Sequence, residues 1–122
     1  MITRRPAPGG ATYSNAVVVE VGGARWVYVA GQTPREPVPD GLEAQTEACF
    51  RQLDEVLREC GATLRDVVQI TVYLTDLTDY QRFAAVRGRV FGDEPPASAA
   101  VGVASLLGGV LVEIAVVAVT GV

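Results

Sequence analysis

Residues 111–119 read LVEIAVVAV, and no other stretch restricts the fold as much. A strand buried on one face alternates apolar with polar residues; this one sets Leu111, Val112, Ile114, Val116, Val117 and Val119 on both of its faces. Residues 67–74, VVQITVYL, are β-branched and aromatic, hence a second strand. Further strands are expected at 16–22 and 26–30, joined through Gly22-Gly23 as a hairpin, and at 97–104. Helical spacing occurs only twice. In 42–60, LEAQTEACFRQLDEVLREC, an apolar stripe runs through Leu42, Cys49, Leu53, Val56, Leu57 and Cys60. Asp40 with Glu43 has capping-box spacing, and Gly61 supplies the stop. A second helix is expected from Thr78, boxed by Gln81, to about Phe91, with Gly92 ending it and Gly88 weakening it. Two helices cover only one face of such a sheet. For a chain of 122 residues the simplest cover for the other face is a second copy, so a homo-oligomer is expected.

The length fits one domain over residues 1–122, with no internal boundary. Residues 33–41, TPREPVPDG, read as a surface loop. No apolar run approaches the roughly 18 residues that span a bilayer, and the first ten residues have no apolar segment behind their two arginines. The expectation is a cytoplasmic protein with no membrane partner. The net charge is −4, without a basic run, which argues against nucleic acid. Histidine is absent, removing Ser-His and Cys-His nucleophile pairs and the commonest metal ligand. No metal or organic cofactor is expected. Cys49 and Cys60 lie on one helix face roughly 16 Å apart, too far for a disulfide, and read as buried small hydrophobes.

Several segments align with a known family. YSNAV at 13–17, VYVAGQTP at 27–34, VVQITVYLTD at 67–76, FGDEPPA at 91–97 and VEIAVVAV at 112–119 resemble the Rid (YjgF, reactive intermediate deaminase) proteins in order and spacing. The resemblance implies a chorismate-mutase-like α+β fold: a mixed six-stranded sheet with two helices on one face, assembled as a homotrimer with ligand clefts between subunits. It also implies hydrolysis of small enamines or imines, such as 2-aminoacrylate, to a keto acid and ammonia. Carried over residue by residue, Glu113 becomes the catalytic, water-positioning carboxylate. Tyr13, the backbone of Gly31 and the backbone N–H of Ala100 become substrate-binding groups.

The chain departs from the family pattern at its substrate anchor. The slot of the carboxylate-binding arginine holds Ser98, and Gly102, Ala84 and Ala30 replace an acid, an asparagine and a hydroxyl. A serine gives one neutral hydrogen bond of about 1 kcal/mol, against about 1.5–3 kcal/mol for a charged group. An amino-acid-derived substrate would therefore bind about ten- to a hundred-fold more weakly. Arg25, Arg82, Arg87 and Arg89 are candidates for a relocated cation. Two readings follow. One is an enzyme acting on an imine, enamine or enol larger and less charged than 2-aminoacrylate, within a biosynthetic pathway. The other is a trimer that binds a small metabolite, or props up a partner enzyme, without catalysis. RNA cleavage is opposed by the acidic charge and missing histidine. Each singled-out residue also has a plain structural reading: Glu113 as a bonded carboxylate, Tyr13 as interface packing, Ser98 as filler, Gly31 as a turn.

Overall fold

The computed structural model describes residues 1–122. Eight main elements follow in order: β1 (Ile2–Pro6), β2 (Ser14–Val21), β3 (Ala24–Gln32), α1 (Leu42–Glu59), β4 (Val67–Leu74), α2 (Tyr80–Phe91), β5 (Ala97–Gly102) and β6 (Val112–Thr120). The strands form one six-stranded mixed sheet ordered β1-β2-β3-β6-β4-β5. All neighbours are antiparallel except β4 and β5.

Both helices lie on one face. Val27, Val29, Ile70, Val72, Ile114 and Val116 turn to that side and are buried beneath Leu53 and Leu57 of α1 and Phe83 of α2. Because side chains alternate along a strand, the intervening residues face the other way. That second face carries Tyr28, Tyr73, Ala115, Val117 and Val101, and none of them is fully buried. The uncovered apolar face expected from LVEIAVVAV is therefore present.

Local chemistry explains the boundaries. The β2–β3 hairpin turns on Gly22 at φ 60°, with Val21 opposite Ala24. Helix α1 ends in a Schellman arrangement: Gly61 at φ 80°, its N–H donating to Arg58 O at 3.1 Å, and Ala62 N–H donating to Leu57 O at 2.9 Å. The expected start signals are not used. Gly41, not Asp40, is the N-cap of α1, and no side chain caps it. Gln45 instead ties the entry together, donating to Pro39 O at 3.1 Å and accepting from Leu111 N–H at 2.8 Å. Likewise Thr78 does not open α2. It lies in a short 3₁₀ turn, where Asp76 accepts from its N–H at 2.9 Å and its hydroxyl at 2.6 Å. Those two bonds, the hydroxyl's first, hold the Asp76 carboxyl below the usual range.

The sheet's two edges differ. β1, which lies before the first strand expected from the sequence, is an exposed edge strand holding Arg4, Arg5 and Pro6, paired to β2. β5 at the opposite edge is Ala-Ser-Ala-Ala-Val-Gly, exposed throughout and without charge. No helix is long and apolar enough to cross a membrane.

Candidate active site

Glu113 lies near the start of β6, directly across from Tyr73 and on the open face. Strand β3 makes room for it. Between Val29 and Gln32 the β3–β6 register slips, so three steps along β3 match two along β6. The extra residue is a bulge at Ala30-Gly31, and Gln32 steadies it by donating to Ala30 O at 3.2 Å. A side chain at Gly31 would overlap Glu113: a Cβ there would overlap Oε2 and lie 2.9 Å from the carboxyl carbon. Gly31 thus serves close approach, not a left-handed turn, since its φ is not positive. Gly31→Ala is expected to displace the carboxylate, costing activity well beyond any change in melting temperature. Equal losses in both would assign Gly31 to the fold alone.

Glu113 is half-buried, and no ion pair within the chain engages it. Tyr13 precedes β2 at the same end of the sheet and is 59% exposed. Behind the bulge, buried Cys49 donates its S–H to Gln32 O at 3.4 Å. Burial, and secondarily the charge of Glu113, push this thiol from 9.0 up to about 12. Both cysteines are buried and unpaired, as expected. The folded state keeps the Cys49 proton where the unfolded chain releases it. Stability should therefore fall as pH rises from about 9 to about 12, by at most about 4 kcal/mol. Chemical denaturation across that window should show a shallower slope for Cys49→Ala. Identical slopes would remove Cys49 as the cause.

Ser98 and Ala100 sit elsewhere. They pair with Ile70 and Val72, which face the helices, so Ser98 and Ala100 point to the helix side of the edge strand. Val103 N–H donates to Leu74 O at 2.9 Å. Backbone groups alternate along a strand, so the N–H of Ala100 looks off the open edge. Gly102 leaves space that Leu77 fills, since a Cβ there would meet Leu77 Cδ1 at 2.9 Å.

Of the four candidate cations, three are matched by acids. Arg25 pairs with Glu20 at 3.6 Å, Arg82 with Glu43 at 4.0 Å and Arg89 with Glu47 at 3.4 Å. Arg87 alone has no acidic partner. It reaches from α2 to Ser98, Nη1 donating to Oγ at 3.0 Å, while Nη2 donates to the Tyr80 hydroxyl at 2.9 Å. Its guanidinium carbon lies 5.5 Å from the Tyr80 ring centre and 5.3 Å from that of Phe83. Tyr80 and Phe83 are not among the candidates expected from sequence, although the i, i+7 and i, i+4 spacing to Arg87 groups them on one helix face.

The structure therefore gathers the candidate residues into two candidate half-sites: Gly31 and Glu113, with Tyr13 at the same sheet end, and Ser98, Ala100 and Arg87. They occupy opposite faces of one sheet, two strands apart. The largest concavity of the single chain, about 370 Å³, lies beside Arg65, Arg89, Asp93 and Glu94 and includes neither half-site.

Comparison with known proteins adds an independent line. A family model described as endoribonuclease L-PSP matches residues 3–120. A RutC family protein of Pyrococcus abyssi is 37% identical over 120 residues, covering 94% of this chain and 91% of that protein. The 2-iminobutanoate/2-iminopropanoate deaminase of Rattus norvegicus is 35% identical over 124 residues, covering 98% of this chain and 87% of that protein. The crystal structure of Rv2704 from Mycobacterium tuberculosis, described as a member of the YjgF/YER057c/UK114 family, superposes with a TM-score of 0.84. It is 32% identical and covers 98% of this chain and 100% of that one.

Proposed function

Because this chain belongs to the Rid/YjgF family, whose sequence model is described as endoribonuclease L-PSP, we propose that it hydrolyses a small imine or enamine to a carbonyl compound and ammonia. The reaction takes place in clefts between copies of a homotrimer. The observation that carries this reading is the Glu113 carboxylate, unpaired within its chain and given room by Gly31. The deaminase name of the rat relative supports the reaction class.

The half-sites explain why copies must meet. One sheet presents Glu113 on its open face and Ser98 on its helix side, so a single chain cannot turn both toward one ligand. A second copy against the open face and the bare β5 edge brings a Glu113 half-site to a neighbour's Ser98 half-site.

The chemistry follows from an acid, a water and a polarised C=N bond. Glu113 takes a proton from water as its oxygen bonds to the carbon of the protonated imine, whose C=N π pair moves to nitrogen as a lone pair. Glu113 then delivers its proton to that nitrogen. The C–N bond breaks, its electron pair leaves with ammonia, and the hydroxyl gives up its proton to become the carbonyl. An enamine enters after one carbon protonation to the imine. Backbone N–H groups of Gly31 and Ala100 donate to the oxygen that water contributes, which gains electron density as it gives up its protons. The net charge of −4 supports a small-molecule substrate over RNA.

The test is ammonia release from freshly generated 2-iminobutanoate. Micromolar protein is expected to exceed spontaneous hydrolysis clearly. A rate equal to that of buffer, with binding of the keto acid retained, would favour the non-catalytic binding reading.

A further inference from the structure

We infer that Arg87, Ser98 and Tyr80 together form a relocated carboxylate clamp, so the ligand of this cleft carries a carboxylate although position 98 holds no arginine. The inference rests on the cleft described under the proposed function, but concerns binding and not turnover.

Four observations carry it. Arg87 is the one candidate cation without an acidic partner. Its orientation is fixed: Nη1 is bonded to Ser98 Oγ at 3.0 Å, Nη2 to the Tyr80 hydroxyl at 2.9 Å, and the plane packs beside the Tyr80 and Phe83 rings. Only part of its hydrogen-bonding fork is consumed. A guanidinium has five N–H groups, and these contacts use two. Finally, both hydroxyls act as acceptors toward Arg87, so each still has its own hydrogen to donate. The outcome is a charged fork flanked by two hydroxyl donors. Phe83 is fully buried in the core and anchors this group.

Such an array suits a planar carboxylate, which accepts two parallel N–H bonds from a guanidinium. It also gives Ser98 a purpose. A serine binds an anion weakly by itself, but here it orients a cation supplied by the neighbouring helix. The larger, less charged substrate inferred from Ser98 alone is replaced by a short 2-imino acid. Pairing Arg87 with a ligand supplies the counter-charge that the chain does not.

The test measures binding of 2-oxobutanoate, its neutral analogue 2-butanone and inorganic phosphate by calorimetry or ligand-observed NMR. Wild type is expected to bind 2-oxobutanoate at millimolar concentration or better, and more tightly than 2-butanone or phosphate. Arg87→Met keeps the apolar stem against the rings and should weaken 2-oxobutanoate about ten- to a hundred-fold, leaving 2-butanone unchanged. Arg87→Lys keeps the charge without the fork and should fall between, with sedimentation and melting confirming that both variants assemble. Wild type that ignores 2-oxobutanoate, or a Met variant that binds it as well as wild type does, would overturn the clamp. Tighter binding of phosphate than of 2-oxobutanoate would overturn the carboxylate assignment. Arg87-dependent binding in a protein that releases no ammonia would uphold the clamp while removing the enzymatic reading.

Discussion

Glu113→Gln is expected to lower the turnover of 2-iminobutanoate by about 10²–10⁴-fold, the usual contribution of a positioned general acid–base group. The substitution preserves shape, and the residue holds no ion pair within its chain, so assembly and melting temperature should barely change. Affinity for 2-oxobutanoate should also survive, because the clamp is on other elements. That combination separates chemistry from scaffolding. A Gln variant as fast as wild type would take Glu113 out of the reaction. A variant that fell apart would make it an interface residue.

Val101→Lys should have the largest structural effect. Val101 is 42% exposed on the open face of β5, the uncharged edge strand. A lysine there would place a hydrated charge in the proposed apolar seam between copies and charge an edge available for association. Sedimentation at micromolar concentration should show monomers in place of the proposed trimers, and turnover should vanish because the half-sites no longer meet. The single-chain fold should persist, since Val101 is outside the buried cluster. Normal mass with full activity would place the clefts elsewhere on the molecule.

These expectations rely on features that were unequally visible in the sequence. The β4 and β6 segments announce themselves by composition, and β4 matches its expected bounds of Val67–Leu74. Gly61 and Gly92 stop their helices because left-handed backbone there favours glycine. Strand β1 was hidden, since Ile-Thr-Arg-Arg-Pro has no strand-like pattern and is extended only because β2 pairs with it. Capping was misplaced for a related reason. Asp40 has the right spacing, yet the entry to α1 is decided by Gln45 bonds to Pro39 and Leu111, the latter 66 residues away in sequence. At the site, Glu113 stands out as the one acid in an apolar strand, and Gly31 could be marked but not explained. Its role needs the β3–β6 register, a property of two strands paired. The contact between Arg87 and Ser98, eleven residues apart, needs α2 folded against the β5 edge; the sequence only nominated the arginine among four.

The unlike borders of the sheet also limit how copies can accumulate. A sheet bare at both borders could take on strands at each end and lengthen without limit into a fibre. Here the β1 border, with Arg4, Arg5 and Pro6, is poorly suited to receive a neighbour's backbone, while β5 offers no such barrier. Polymer growth by repeated border-to-border joining lacks a second receptive end, which disfavours a filament.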